Sequence, residues 1–131
     1  MKRDEATRQT ILVVDDYEEI RILMRKVLET SGYRVVEAAD GQEAVEAART
    51  ELPDLILMDL CMPQRSGVSA VYRIRKHEEL HDVPIIAVTA YASADLHLEA
   101  LKAGCVEYIT KPIDLDYLTN LLGRLLGNHA A

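Results

Sequence analysis

The chain predicts an α/β fold: an open parallel sheet with helices on both faces. Three observations predict it. Short apolar runs recur at residues 11–14, 55–58, 85–88 and 106–109. Stretches with apolar residues at helical spacing separate them. A polar residue closely follows each run: Asp15 and Asp16, then Asp59, Thr89 and Lys111. Apolar runs bounded by helices read as strands buried on both faces. Residues just past such strands lie at the carboxyl edge of the sheet, where open parallel sheets bind ligands. Five distant positions thereby converge, bringing together three carboxylates, a hydroxyl and an ammonium. That set suits a divalent cation and a phosphoryl group.

Composition bounds the function. A chain of 131 residues has room for one core. Its net charge of −7 argues against a nucleic-acid or anionic-membrane surface. The aromatic residues are all tyrosines, so no Trp or Phe forms a stacking platform. No apolar stretch approaches the roughly 18 residues of a membrane span. The start, Met1-Lys2-Arg3-Asp4-Glu5, lacks the apolar segment of a signal peptide. Two cysteines make no disulfide framework, which fits a reducing cytoplasm.

The elements follow in order. Residues 1–9 read as a flexible polar lead, 10–127 as a single domain and 128–131 as a short tail. Helix one spans about 17–31, with Ile20, Leu23, Met24, Val27 and Leu28 on its buried face. Gly32 ends it in a left-handed cap. The second strand, 34–38, is less apolar and so nearer an edge. Asp40 caps helix two, which Pro53 stops. Helix three spans about 66–77, with Val68, Val71, Tyr72 and Ile74 apolar. Pro84 opens the fourth strand. Ser93 caps helix four, which ends at Gly104. Its leucines, Leu96, Leu98 and Leu101, do not share one face, so one is expected at the surface. Asp114 caps the last helix, whose stripe is Leu115, Leu118, Leu121, Leu122, Leu125 and Leu126, with Gly127 as its stop.

Four motifs in order carry a specific resemblance. They are Asp15-Asp16, Met58-Asp59-Leu60-Cys61-Met62-Pro63 with Gly67, Thr89-Ala90, and Lys111-Pro112. From about Thr10 to Leu126 the chain resembles the receiver domain of two-component response regulators, the CheY-like family. The resemblance implies a flavodoxin-like (βα)5 sheet of order 2-1-3-4-5. Right-handed crossovers permit that order, and it is the one that flavodoxin and CheY share. The resemblance further implies that Asp59 accepts a phosphoryl group as an acyl phosphate. Asp15, Asp16, Asp59 and the backbone carbonyl of Cys61 would hold Mg²⁺, a hard cation that prefers oxygen. Lys111 and Thr89 would contact phosphoryl oxygens. Thr89 and Tyr108 would switch, and the Lys111–Pro112 peptide would be cis. Phosphorylation would be read out on helix four, strand five and helix five.

The implied protein is a stand-alone cytoplasmic signalling phosphoacceptor, not a turnover enzyme, and a monomer or weak homodimer. Its donor would be a sensor histidine kinase or histidine phosphotransfer protein, and its output a protein partner. Three carboxylates in one place repel, so one should resist ionisation. Tyr91 is expected to screen the acyl phosphate from water. An FMN site would need a Ser/Thr/Gly-rich phosphate loop after the first strand, where Asp15-Asp16-Tyr17-Glu18-Glu19 stands. His77-Glu78-Glu79-Leu80-His81 matches a zinc-protease pattern, but Pro84 follows closely, and neither His97 nor His129 has metal-ligand spacing with it. It reads as the wet end of helix three. Cys105 reads as a buried small hydrophobe.

Overall fold

The computed structural model describes residues 8–91 and 93–127, with the Arg65 side chain left aside. Most of the expected lead, residues 1–7, and the tail with His129 lie outside them. The strands are β1 Thr10–Val14, β2 Arg34–Ala38, β3 Leu55–Asp59, β4 Ile85–Thr89 and β5 Glu107–Thr110. They pair in parallel in the order 2-1-3-4-5. The helices are α1 Glu18–Thr30, α2 Gly41–Glu51, α3 Ser66–Arg75, α4 Ala94–Ala103 and α5 Leu115–Leu126.

Side chains alternate across a strand, and here the alternation builds two cores. Leu12, Val14, Ile56, Met58, Ile85 and Ala87 join one layer with residues of α2, α3 and α4. Ile11, Val13, Leu55, Leu57, Ile86 and Val88 join the other with α1 and α5. Along β1, β3 and β4 the apolar positions give way to polar residues at the sheet's carboxyl edge, although Leu60 and Met62 continue one core beyond Asp59.

The caps follow the sequence. Asp40 accepts from the Glu43 amide at 2.8 Å, and Glu43 in turn accepts from the Ala39 amide. Ser93 accepts from Leu96 and Asp114 from Tyr117. Gly32 and Gly127 stand at φ +98° and +72°. Helix α2 ends differently: Leu52 itself takes the left-handed conformation, at φ 48°, because no glycine precedes Pro53.

Several periodic assignments are corrected. Leu23, Tyr72 and Leu125 are exposed, because each helix buries a stripe narrower than its apolar pattern. On α4 both Leu98 and Leu101 face outward, leaving only Ala100 and Ala103 buried there. Strand five begins at Glu107, and Val106 is exposed. As the edge strand of the sheet, β5 lacks the two-sided burial of β1, β3 and β4.

Arg75 carries no signal in the sequence. Its guanidinium donates twice to the Gly104 carbonyl, at 3.2 and 2.7 Å, and also to the Leu80 and His81 carbonyls. One side chain thus satisfies carbonyls at the end of α4 and of the turn Glu78–Leu80. Beside it, burial pushes the Cys105 thiol up to about 11, with Arg75 pulling the other way. The thiol therefore stays protonated, and Cys105 behaves as the expected buried hydrophobe.

Candidate functional site

The five polar residues do converge. Asp15 directly follows β1, Asp59 and Thr89 are the last residues of β3 and β4, and Lys111 directly follows β5. Carboxylate oxygens of Asp15, Asp16 and Asp59 all lie within 4.8 Å of one another. Asp15 and Asp59 are buried, while Asp16 is exposed and opens the cluster to solvent. The Lys111 ammonium donates to Asp15 Oδ2 at 2.9 Å and to Asp59 Oδ2 at 3.4 Å. The Lys111–Pro112 peptide is cis, as the resemblance implies.

Local structure fixes each group. Asp15 Oδ1 accepts from the Tyr17 amide at 2.9 Å, and the Asp15 carbonyl accepts from Arg21 Nη1 at 2.6 Å. Arg21 sits one helical turn farther on, and no motif in the sequence marks it. Asp59 Oδ1 accepts from the Cys61 amide at 2.8 Å. Cys61 Sγ lies 2.6 Å from Thr89 Oγ1, which also accepts from the Tyr91 amide. The sequence gives no hint of that sulfur contact, since the resemblance has a use only for the carbonyl of Cys61.

Asp59 does resist ionisation. Burial is the first cause, and the Asp15 charge adds to it. The Cys61 amide and Lys111 pull the other way. So desolvation outweighs the like-charge repulsion expected from the sequence. Lys111 is held above its ordinary value by its bonds and charge contacts with Asp15 and Asp59, against burial, which lowers it.

The donor set fits a hard cation. Three carboxylates beside one ammonium leave net negative charge, and oxygen donors are what Mg²⁺ takes. By contrast, the zinc-like pattern does not form a site. Residues Glu78–Leu80 make a short 3₁₀ turn, so His77 and His81 do not share a helix face. His81 instead faces Asp82 at 3.0 Å, with both side chains largely exposed.

Gly67 shapes the site by what it lacks. A Cβ there would run into the Asp59 carbonyl oxygen and come within 3.0 Å of Leu60 Cα. Both are backbone atoms that cannot swing aside. Helix propensity alone would favour Gly67→Ala by about 1 kcal/mol. We expect the reverse, a loss of about 1–3 kcal/mol, because overpacking must displace β3 or α3. Urea denaturation of the two proteins decides the sign.

The family model of the response regulator receiver domain matches residues 11–123. The chain is 36% identical over 120 residues to the polar-differentiation response regulator DivK of Brucella ovis, covering 92% of this chain and 98% of that one. Among solved structures it resembles the chemotaxis protein CheY4 of Vibrio cholerae, with a TM-score of 0.86, 30% identity and coverage of 91% and 99%. It also resembles the receiver domain of the sensor histidine kinase PA1611 from Pseudomonas aeruginosa PAO1, with a TM-score of 0.84, 38% identity and coverage of 92% and 99%. In that neighbour a magnesium ion is coordinated in the active-site cleft.

Proposed function

The chain belongs to the response regulator receiver domain family, and from that premise we propose that it accepts a phosphoryl group on Asp59 from a phosphohistidine. The donor is a sensor histidine kinase or a histidine phosphotransfer protein. One observation carries the reading: three carboxylates within 4.8 Å of one another, two of them bonded to one ammonium.

In this reading an Asp59 carboxylate oxygen attacks phosphorus. The new O–P bond forms as the donor's P–N bond breaks, and the leaving imidazole nitrogen keeps the bonding pair. Phosphoryl transfer depends mostly on positioning and on neutralising charge. The Cys61 amide holds one Asp59 oxygen, which leaves the other as the nucleophile. Lys111 already reaches that second oxygen and exchanges it for a phosphoryl oxygen as a compact point charge. The Thr89 hydroxyl, fully buried beside the site, supplies a further hydrogen bond. Asp15, Asp16, Asp59 and the Cys61 carbonyl are the groups that would hold Mg²⁺. Bound there, the cation would offset the negative charge of the phosphoryl oxygens.

The chain then acts as a phosphoacceptor that also loses its phosphoryl group by its own chemistry, with signalling as its output. Phosphorylation biases a two-state surface formed by α4, β5 and α5, with Thr89 and Tyr108 as the switching residues, and a protein partner reads it. Among the described residues no helix is long and apolar enough to cross a membrane. We place the protein in the cytoplasm as a monomer or weak homodimer.

Intact mass after incubation with acetyl phosphate tests the reading. We expect one phosphoryl adduct that requires Mg²⁺ and disappears with a chelator. No adduct under any condition would leave a receiver that works by binding alone. The Tyr91 ring, 69% exposed beside Thr89, bears on the adduct's lifetime. Tyr91→Ala should hydrolyse several-fold faster, about 1 kcal/mol in barrier. An unchanged decay of the adduct mass would remove Tyr91 from that role.

A further inference from the structure

A run of contacts leads from Asp59 to α4 and ends on a side chain outside the phosphoryl site. The Cys61 amide bonds Asp59, and its sulfur touches Thr89 Oγ1. Thr89 Oγ1 accepts from the Tyr91 amide at 3.1 Å. The Tyr91 carbonyl accepts from the Tyr108 hydroxyl at 2.5 Å. The Tyr108 ring then stacks on His97 of α4, with centroids 4.5 Å apart and planes 11° from parallel.

We propose that His97 is a positioning residue that couples α4 to the Asp59 site through Tyr108. The proposal rests on Asp59 being the phosphoacceptor. Tyr108 is tied to two elements at once: its hydroxyl to the segment after β4 and its ring to α4. A charged group on Asp59 attracts the Thr89 hydroxyl. Any shift of residues 89–91 toward it must carry the Tyr108 hydroxyl along or release it. Either event changes the ring's seat on His97.

Helix α4 can answer because it is lightly held. Its buried residues are Ala100 and Ala103, which contribute little apolar area, and Leu96 is only partly buried against the same core. A ring stack adds about 0.5–1.5 kcal/mol, a sizeable part of the hold on such a helix. Its outward Leu98 and Leu101 would move with it and change the apolar surface on offer.

Hydrogen exchange on the full chain tests this, with Mg²⁺ plus beryllium fluoride as the phosphoryl mimic. In the native protein we expect exchange to change both around Thr89 and across α4. In His97→Ala the change around Thr89 should remain, while that across α4 falls by more than half. His97→Phe, which restores a flat ring, should recover it. An equal α4 response in native and His97→Ala proteins overturns the proposal alone. No response anywhere in the native protein overturns it together with the phosphoacceptor reading. A fall in His97→Ala that His97→Phe does not recover also overturns it, because the stack would then not be the link.

Discussion

Asp59→Asn is expected to take up no phosphoryl group from acetyl phosphate and Mg²⁺, and to be more stable than the native chain at pH 7. The first half follows from chemistry. An amide lacks the anionic oxygen that attacks phosphorus. Asp15 and Asp16 are not expected to replace it, because the Cys61 amide is bonded to the carboxylate at position 59. Intact mass should show the adduct in the native protein and none in the variant. The second half follows from electrostatics. Asp59 is buried against Asp15, and burial first and the Asp15 charge next raise its carboxyl above the ordinary 3.8. The folded chain therefore holds that proton more tightly than the unfolded chain does. The resulting contribution favours folding below the ordinary value and is lost as pH rises through the raised one. Ionised Asp59 opposes the fold at neutral pH. Replacing it with a neutral isostere should stabilise by about 1–2 kcal/mol. The gain should be larger at pH 7 than at pH 4, and a melting comparison at both values checks that ordering. Added Mg²⁺ should raise the melting point of the native protein more than that of the variant, since ligand binding stabilises in proportion to affinity.

Arg75→Met is expected to destabilise the fold by about 2–4 kcal/mol. The native guanidinium reaches Gly104, Leu80 and His81 with good geometry. Methionine preserves much of the stem but leaves part-buried carbonyls without partners, and each such group carries a penalty of about 1–3 kcal/mol. Arg75→Lys should fall between, because an ammonium cannot span the fork that reaches both loops. In urea we expect the midpoint to drop with little change in slope. A variant within about 0.5 kcal/mol of native would mean that water takes over these carbonyls.

Position 59 was legible because its signal is local: an acidic residue ending an apolar run. The same holds for Asp15, Thr89 and Lys111, and for the caps Asp40, Ser93 and Asp114. Strand order came from the family resemblance, since crossover rules narrow the topologies without choosing one. Arg75, Arg21 and His97 were missed for a shared reason. Each acts on a group made neighbouring only by tertiary folding, and no periodicity encodes that. The exposed Leu23, Tyr72 and Leu125 failed the opposite way. Each stood at helical spacing, yet spacing reports an apolar stripe without its width. Leu52 in a left-handed cap shows context overriding preference, because the chain must turn before Pro53.

Tyr91 touches Thr89 through its amide and Tyr108 through its carbonyl, while its ring projects into water. Every residue but proline owns both of those backbone groups. The wiring between the fourth and fifth strands is therefore indifferent to the side chain carried at 91. That side chain can change without breaking the path that runs from Thr89 to Tyr108.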